Sequence, residues 1–214
     1  PIQNIGAYGL EIVDRFDSLD AIDLDTGACR SFHAHDCAFG YRDSVFKQQP
    51  DRFIVTAVEF ALPPGFTPRL EYAGIGEELA TMEIGNPTPA DVAGAVIAIR
   101  RRKLPDPAVI GNAGSFFKNP IVATAQAEAL SNKHSSLPVF RGNSDANRKL
   151  SAAWLIDACG WKGHRDGDAG VAASHALVLV NHGHASGRQL YDLARRIAGS
   201  VHERFGVALE PEPR

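Results

Sequence analysis

The sequence predicts an α+β protein with a sheet-rich first part and a second part in which helices alternate with short strands. Two observations support this prediction. Up to residue 104, most apolar segments alternate in polarity or are rich in β-branched and aromatic residues, as strands are. After the proline-containing LPDPAVIG at 104–111, apolar residues recur at helical spacing. We therefore predict one domain over 1–104, rejoined by a final strand at 207–214, and a second domain over 105–206.

Three segments of the first part have the composition of strands. Two alternate in polarity and lead into an Asp-Thr-Gly turn, and the third is rich in β-branched residues and stops at Pro-Pro-Gly. A helix follows, because Thr88 suits the N-cap position and Pro89 suits the first turn. We predict strands at 9–16, 20–25 and 53–62, and a helix from Pro89 that ends in the basic run 100–103.

Three segments of the second part have helical periodicity, and glycines mark the ends of two of them. The clearest is the last, in which large apolar residues fall on one face before Gly206. The short apolar run ALVLVN is typical of a buried strand. We predict helices at 121–132, 149–158 and 190–205, strands at 176–181 and 207–213, and a long surface loop at 135–147.

The composition argues against several classes of protein. With 22 basic and 25 acidic residues the formal net charge is −3, so the chain lacks the concentrated positive charge that nucleic-acid binding requires. It has no apolar run of about 18 residues, the length that spans a bilayer. Its 3 scattered cysteines predict no disulfide framework and favour a reducing compartment. We expect a cytoplasmic protein with no nucleic-acid or membrane partner.

The segment GNAGSFFKNP, residues 111–120, places Ser115 between a glycine pair and two phenylalanines. The glycines let backbone N–H groups converge, and a helix that began near Pro120 would add the positive end of its dipole, so the segment suits an anion or an oxyanion. Lys118 and Asn119 add hydrogen-bond donors. Two interpretations stay open, because Ser115 is either the cap of a local turn or a placed proton donor.

Three charged residues each have a structural and a functional interpretation. Arg42 is either a loop arginine on the surface or a guanidinium held ready for a carboxylate. Lys103 either interacts with the helix dipole in solvent or is fixed by the stiff LPDP that follows it. Glu212 shares a face of the predicted last strand with Glu210 and Arg214, and is either a solvated ion-pair partner or an acid or base.

Histidines and cysteines raise the question of a metal site. One group has C-x3-H-x-H-x-C spacing, and a second surrounds the end of the strand predicted at 176–181. On an alternating strand neighbouring side chains point to opposite faces, so at most two members of the first group could share a metal ion. We therefore expect no metal at either group, whose members are Cys29, His33, His35 and Cys37, and His175, His182 and His184.

Seven ordered blocks of the chain together resemble the UDP-N-acetylenolpyruvoylglucosamine reductases, flavoenzymes of bacterial peptidoglycan synthesis. The blocks are PIQNIGAYGLE, FGYRDSVFK, RRKLPDP, GNAGSFFKNP, KLSAAWLIDACGWKGHRDGDAGV, HALVLVNHG and ERFGVALEPEPR. The resemblance implies an oxidoreductase that takes hydride from NADPH through FAD and reduces the enolpyruvyl ether of UDP-N-acetylglucosamine enolpyruvate to UDP-N-acetylmuramate. It also implies that 1–104 with 207–214 is part of a FAD-binding region of type 2, and that 105–206 is an α/β substrate-binding domain.

The resemblance implies roles for individual residues. Ser115 would give a proton to the substrate carbon next to the carboxylate, Arg42 would hold that carboxylate, and Glu212 would assist. Tyr72, in RLEYAGI, would be a tyrosine that closes over substrate. The substrate-binding residues implied in this way are Tyr72, Lys103, Asn119, Lys162 and His175, and the segment against the flavin comprises Gln3, Asn4, Ile5, Gly6, Ala7 and Tyr8.

The chain also departs from the family pattern. Nothing in it corresponds to the family's first FAD-binding domain, which carries a glycine-rich pyrophosphate loop. We therefore expect a fragment of a longer, monomeric reductase. An alternative prediction is that the fragment alone is a nucleotide-sugar-binding module without catalysis.

Overall fold

The structure is a computed structural model that describes residues 1–65, 67–70, 72 and 74–213. Helices and strands are mixed throughout, which confirms the predicted α+β class. The chain divides into two compact units, Pro1–Ile99 and Arg100–Arg214. The division falls inside the helix Pro89–Lys103, and the boundary predicted at 104 falls just after that helix. That one unit binds cofactor and the other binds substrate stays a prediction.

The described residues of the first unit form two antiparallel sheets and three helices. Their elements are β1 (Gly6–Ala7), β2 (Leu10–Glu11), β3 (Phe16–Asp23), β4 (Cys29–His33), α1 (Val45–Gln48), β5 (Phe53–Phe60), α2 (Ile75–Thr81) and α3 (Pro89–Lys103), the last of which continues into the second unit. β1 and β2 form a hairpin, and the larger sheet has the order β4-β3-β5. A short 3-10 turn at Ile12–Asp14 joins β2 to β3.

Two apolar clusters stabilise the first unit. One face of the larger sheet buries Leu19 and Phe32 against Phe46 of α1, whose ring centroid lies 5.1 Å from that of Phe32. The second cluster joins α2 and α3 through Ile75 and Ile99. Burial of each such side chain contributes about 1.5–3 kcal/mol, so the sheet and the helix pair are each held by their own apolar contacts.

The strand predicted at 9–16 is wrong. Tyr8 and Gly9 both have positive φ, 55° and 80°, and form the two-residue turn of the β1–β2 hairpin. The 3-10 turn then interrupts the chain, with the Asp14 carboxylate accepting a hydrogen bond from the Glu11 N–H at 2.9 Å. β3 therefore begins at Phe16 and ends at Asp23. It continues through 17–19, where the sequence predicts a break between two strands, and it ends two residues before the end of the strand predicted at 20–25.

The strand predicted at 53–62 and the helix predicted from Pro89 are confirmed as β5 and α3. Thr88 caps α3 as expected, because its Oγ1 accepts from the Asp91 N–H at 3.3 Å while the Asp91 carboxylate accepts from the Thr88 N–H at 2.8 Å. The hydrogen bonds from Thr88 lower the pKa of Asp91, so the cap keeps its negative charge at the positive end of the helix.

The described residues of the second unit form two further sheets and three helices. Their elements are β6 (Gly111–Ser115), β7 (Ile121–Ala123), α4 (Thr124–Lys133), β8 (Val139–Arg141), β9 (Asn147–Leu150), α5 (Ala152–Ala158), β10 (Arg165–Asp166), β11 (Ala169–Val171), β12 (Val178–Asn181) and α6 (Gly187–Phe205). The sheets have the orders β10-β11-β12-β6 and β7-β9-β8, and every described strand pair is antiparallel. The predicted α/β type is therefore wrong for this unit, because an α/β domain is built on a mostly parallel sheet.

A continuous apolar core joins α5 and α6 to the strands of the second unit. α6 contributes Leu193, Ile197 and Val201, all fully buried on one face. Ser186 caps its start by accepting from the Gln189 N–H at 3.3 Å, and Gly206 ends it with a φ of 65°. The last predicted helix is thus confirmed. Within the described ranges, no helix combines the length and the apolar composition needed to cross a membrane.

Two other predicted helices begin later than the sequence indicates. Residues 121–123 and 147–150 pair with each other as β7 and β9, so the helices predicted at 121–132 and 149–158 begin at Thr124 and Ala152. β8 lies inside the predicted surface loop at 135–147. These strands are three or four residues long and carry no periodic signal of their own.

The strand predicted at 207–213 is also wrong. The described part of this segment forms one isolated bridge, between Pro211 and Phe117, and it lies in the second unit. Pro211 and Pro213 have no N–H group, so a regular ladder cannot extend along the segment.

Replacing Ile197 by alanine should lower the free energy of unfolding by about 2–5 kcal/mol, because it leaves a cavity in the core beside α6. Gly199→Ala on the same helix is the matched control. Apart from its chain neighbours and the adjacent backbone of α6, no described atom lies within 4 Å of a Cβ built at Gly199, and alanine favours a helix over glycine by about 1 kcal/mol. Urea unfolding followed by tryptophan fluorescence measures both variants, and an equal loss of stability in both would contradict the assigned buried face.

Candidate active site

A β-bulge in β6 sets the position of Ser115. Val178 of β12 lies opposite Ser115 and Val180 lies opposite Asn112, so β6 has one residue more than β12 between these pairs. Gly114 accommodates the extra residue with a φ of 74°, a conformation that favours glycine. Since a bulge redirects the side chains next to it, Ser115 leaves the regular alternation of the strand.

The turn before Ser115 is capped by Asn112. Its side-chain oxygen accepts from the Gly114 N–H at 3.1 Å, and its amide nitrogen donates to the carbonyls of Ile110 and Pro105. Among the residues that the structure describes, none makes a hydrogen bond with the Ser115 hydroxyl. The turn-cap interpretation therefore fails for Ser115, whose half-buried side chain remains available to a ligand.

The helix dipole expected beside Ser115 is missing, because the strand β7 follows Pro120 and α4 begins only at Thr124. Positive charge comes instead from Arg100 and Arg101. These residues line a cavity of about 650 Å³ that extends along the loop 104–107 to Gly114 of the bulge. The second unit thus offers cationic groups close to the chain segment that precedes Ser115.

The tail after α6 runs beside the residues that follow Ser115. The Glu212 N–H donates to the Phe116 carbonyl at 2.8 Å, and the Lys118 N–H donates to the Glu210 carbonyl at 2.9 Å. The Lys118 ammonium group also lies 2.5 Å from a carboxylate oxygen of Glu210. These contacts hold Glu212 next to the strand that carries Ser115.

Lys103, Lys162 and His175 form a basic cluster. Burial lowers the pKa of His175 from 6.5, and the positive charges of Lys103 and Lys162 lower it further, so both ammonium groups lie near the imidazole. The Leu177 N–H donates to His175 Nδ1 at 3.2 Å, which orients the ring. The Leu177 carbonyl in turn accepts from the Phe116 N–H at 2.8 Å, so the cluster adjoins the Ser115 strand. Two cations beside an imidazole suit a ligand with more than one negative charge.

Asn119 contributes to the start of α5. Its Oδ1 accepts from the Ala152 N–H at 3.0 Å, close to Ser151, which caps the helix by accepting from the Trp154 N–H at 3.2 Å. The substrate-binding role of Asn119 stays a prediction.

Arg42, in the first unit, has a left-handed backbone with a φ of 55°. This conformation costs a non-glycine residue about 1–3 kcal/mol, so surrounding contacts must hold it. The guanidinium donates through Nη2 to the Gly6 carbonyl at 2.6 Å, and its Nη1 lies 3.8 Å from Glu11 Oε1. The side chain is 17% exposed, so the interpretation of Arg42 as an exposed loop arginine fails.

The predicted flavin segment, residues 3–8, is folded against Arg42. Asn4 is buried and its amide nitrogen donates to Glu11 Oε2 at 2.9 Å and to the Gly40 carbonyl at 3.0 Å. Gly6 is required by close packing, because a Cβ there would lie 2.6 Å from Glu11 Cγ and 3.3 Å from Arg42 Nη1. The path of this segment and the orientation of Arg42 therefore depend on each other.

Apolar residues of the same segment face outward. Ile5 is 55% exposed, and with Ala7, Leu10 and Ile12 it lines a cavity of about 320 Å³. The rings of Tyr8 and Tyr72 lie 5.1 Å apart, which brings the predicted lid tyrosine to the predicted flavin segment. The two residues that flank Tyr72 in sequence lie outside the described ranges.

Each unit thus brings together part of the predicted site. Arg42, Tyr72 and residues 3–8 are connected in the first unit, while Ser115 and Glu212 are neighbours in the second. That Arg42 meets Ser115 and Glu212 at one substrate stays a prediction.

The cysteine and histidine groups do not converge. Cys29 is exposed on β4, whereas Cys37 is buried in the core of the first unit. Burial, together with the negative charge of Asp36, raises the pKa of the Cys37 thiol to about 11, which disfavours the thiolate that a metal ion binds. Over the described part of the chain, no three potential ligand side chains come together in a metal-binding arrangement.

Two residues of this region could not be identified from the sequence. Glu11 contacts both Asn4 and Arg42, and Lys47 is buried behind Arg42. Lys47 directly follows the apolar pair Val-Phe in the same block as Arg42, which is the one signal that could have indicated it. α1 is only 4 residues long, too short for its periodicity to predict which face is buried.

Comparison with known proteins gives a consistent result. Residues 106–214 match the family model described as UDP-N-acetylenolpyruvoylglucosamine reductase, C-terminal domain. The UDP-N-acetylenolpyruvoylglucosamine reductase of Xanthomonas euvesicatoria pv. vesicatoria (strain 85-10) is 59% identical over 214 residues, and that of Xylella fastidiosa (strain 9a5c) is 56% identical over 213 residues. Both alignments cover 100% of this chain and 61% of the relative, so the chain spans less than two thirds of their length.

A solved structure is similar as well. The crystal structure of UDP-N-acetylenolpyruvylglucosamine reductase (MurB) from Thermus caldophilus aligns with a TM-score of 0.60 at 25% sequence identity. The alignment covers 100% of this chain and 57% of that one. The similarity therefore includes residues of both units.

Replacing Lys103 or Lys162 by glutamine should raise the pKa of His175 toward 6.5, because each substitution removes a positive charge that disfavours the imidazolium. NMR titration of the histidine side chains measures this, with the His175 signal assigned by its loss in His175→Gln. Lys133→Gln, at the exposed end of α4, should leave the titration unchanged. An unchanged His175 pKa in both cluster variants would show that the lysines do not lie near the ring.

The sign of the effect on stability follows from the lowered pKa. The unfolded chain, with a histidine pKa near 6.5, binds the proton more readily than the folded chain. The contribution of His175 to the free energy of unfolding should therefore fall as the pH drops below about 6.5 toward the lowered pKa. Chemical denaturation at a series of pH values should show a smaller fall for Lys103→Gln than for the parent sequence.

Proposed function

Because the chain belongs to the UDP-N-acetylenolpyruvoylglucosamine reductase family, we propose that it forms the larger part of an NADPH-dependent flavoenzyme of the cytoplasm. The enzyme would reduce UDP-N-acetylglucosamine enolpyruvate to UDP-N-acetylmuramate for peptidoglycan synthesis. The observation that carries this proposal is the Ser115 hydroxyl, which follows a β-bulge and has no hydrogen bond to the described residues. A hydroxyl in this state can be directed at a substrate carbon.

The outward face of residues 3–8 suits FAD. Ile5 and Leu10 are exposed although they are aliphatic, and they line a cavity bordered by Gly6 and Ala7. A flat, mostly apolar ring system would cover this surface and gain the free energy of apolar burial. When bound, FAD would supply to the substrate the hydride that it takes from NADPH. Gln3, Ile5, Gly6, Ala7 and Tyr8 would hold its ring, while the buried Asn4 would fix the segment from the protein side.

Ser115 would complete the reduction. Once the terminal vinyl carbon of the substrate has accepted a hydride, the electron pair of the double bond lies on the carbon next to the carboxylate. This carbanion is strongly basic, so even a hydroxyl can protonate it. Ser115 would donate its proton to that carbon, and water would return a proton to the serine oxygen.

Arg42 and Glu212 would control the charge that develops in this step. The guanidinium of Arg42 would bind the substrate carboxylate and stabilise the enolate form of the carbanion. Its contacts with Gly6 and Glu11 fix its orientation in advance, which lowers the cost of reorganisation. Glu212 would assist by positioning these groups from the tail that lies beside the Ser115 strand.

The basic cluster would bind the diphosphate of the nucleotide sugar. Lys103 and Lys162 supply ammonium groups near His175, and a diphosphate carries enough negative charge to interact with both. Asn119 would contact the bound substrate, and Tyr72 would close over it. The cluster adjoins the Ser115 strand through Leu177, so a substrate held there could reach the hydroxyl.

In a full-length reductase that contains this chain, Ser115→Ala should slow reoxidation of the reduced flavin by substrate about 10²- to 10⁴-fold, the usual contribution of a general acid. Reduction of the flavin by NADPH should be unchanged, because that half-reaction needs no proton from Ser115. Stopped-flow absorbance of the flavin separates the two half-reactions. Ser136→Ala, at an exposed loop position, is the control. Normal reoxidation in Ser115→Ala would remove Ser115 from the mechanism.

Lys103→Gln and Lys162→Gln should each weaken binding of the nucleotide sugar about tenfold or more, because a charge-assisted hydrogen bond contributes about 1.5–3 kcal/mol. The rate of flavin reoxidation at saturating substrate should change far less. Isothermal titration calorimetry of the full-length protein measures the affinities, with Lys133→Gln as the control. Affinities within twofold of the parent in both variants would place the diphosphate elsewhere.

A further inference from the structure

A buried lysine that the proposed reaction does not use lies directly behind Arg42. Lys47 of α1 is 5% exposed. Its ammonium group donates to the Arg42 carbonyl at 3.1 Å and to Gln3 Oε1 at 3.4 Å. Taking an ammonium group out of water costs several kcal/mol unless its hydrogen bonds are replaced. An apolar side chain would fill the same space without that cost, so the ammonium group itself needs an explanation.

The bond to the Arg42 carbonyl meets a specific need of the backbone. Gly40 and Asp43 form a tight antiparallel bridge through two backbone hydrogen bonds. The Gly40 N–H donates to the Asp43 carbonyl at 3.0 Å, and the Asp43 N–H donates to the Gly40 carbonyl at 3.3 Å. Arg42 lies inside this turn with its φ of 55°, and its carbonyl takes no part in the bridge. Lys47 supplies a donor to that carbonyl and thereby stabilises the left-handed conformation.

Lys47 also belongs to a buried polar network. Only four polar or charged residues are buried among those that the structure describes, and three of them, Asn4, Ser44 and Lys47, lie here. Asn4 donates to the Gly40 carbonyl, Ser44 donates to the Ile2 carbonyl, and Lys47 reaches Gln3. Residues 2–4 are thus tied to residues 40–47 by three buried side chains. A network of this kind, when its groups are satisfied, makes a region rigid.

We propose that Lys47 is a positioning residue that fixes Arg42 relative to the segment proposed to lie against the flavin. The inference depends on the proposed function for the task of Arg42, and it assigns to Lys47 no contact with substrate or cofactor. Lys47 acts through the Arg42 carbonyl, and through Gln3 it ties the arginine turn to residues 3–8. A misplacement of about 1 Å in such a group costs about 10²-fold in rate.

A double-mutant cycle in the full-length reductase tests this role. Lys47→Met removes the ammonium group and keeps most of the apolar stem. It should slow flavin reoxidation by substrate about tenfold to a hundredfold, while flavin content and flavin reduction by NADPH stay within twofold. Lys133→Met is the matched exposed control and should change neither half-reaction.

The decisive measurement is the combination with Arg42→Ala. If Lys47 acts through Arg42, the double variant should reoxidise within about twofold of Arg42→Ala alone. Effects that multiply would overturn the inference, since Lys47 would then act independently of Arg42. If Lys47→Met does not bind flavin, Lys47→Gln, which keeps a polar group at this position, is carried through the same cycle with the same criteria.

The outcomes separate this inference from the proposed function. Normal reoxidation in Arg42→Ala would refute the proposed role of Arg42 itself. Slow reoxidation in Arg42→Ala with normal reoxidation in Lys47→Met would refute the role of Lys47 alone. Equal slowing of both half-reactions in Lys47→Met would mean that the lysine only supports the fold, which also overturns the inference.

Discussion

The candidate site of the second unit depends on the register between β6 and β12. Val178 and Val180 pack in one apolar cluster and Leu177 and Leu179 in another, so a shift of one residue would exchange the side chains between the two clusters. This burial fixes which residue of β6 faces Val178, and the bulge at Gly114 makes that residue Ser115. Apolar packing of β12 thus determines where the Ser115 hydroxyl lies on β6.

The parts of the fold that the sequence predicted well are those with local signals. α3 and α6 have caps, proline or glycine at their ends and long stretches in which periodicity is visible. The segment 9–16 was mispredicted because Tyr8, a non-glycine residue, adopts positive φ and closes a hairpin that its alternating polarity does not reveal. β7 and β9 were missed because their pairing with each other, and not their composition, makes them strands.

The candidate residues differ in the same way. Ser115 and Arg42 stand out in the sequence because each interrupts an unusual run, and each occupies a constrained backbone position. The burial of Lys47 and the hydrogen bond from Ala152 to Asn119 arise from contacts between segments distant in sequence, which no local pattern encodes. Different interactions orient these two residues. Buried polar groups orient Arg42 in the first unit, whereas an apolar core orients Ser115 in the second.

Pro211 and Pro213 limit the backbone hydrogen bonds that one side of the tail can make. In an extended segment alternate residues turn their backbone groups to opposite sides, and Glu210 and Glu212 turn theirs toward residues 116–118. Pro211 and Pro213 therefore present the opposite side, where neither has an N–H to donate. A neighbouring segment could accept no hydrogen bond from either proline, so a regular ladder cannot form along this side of the tail.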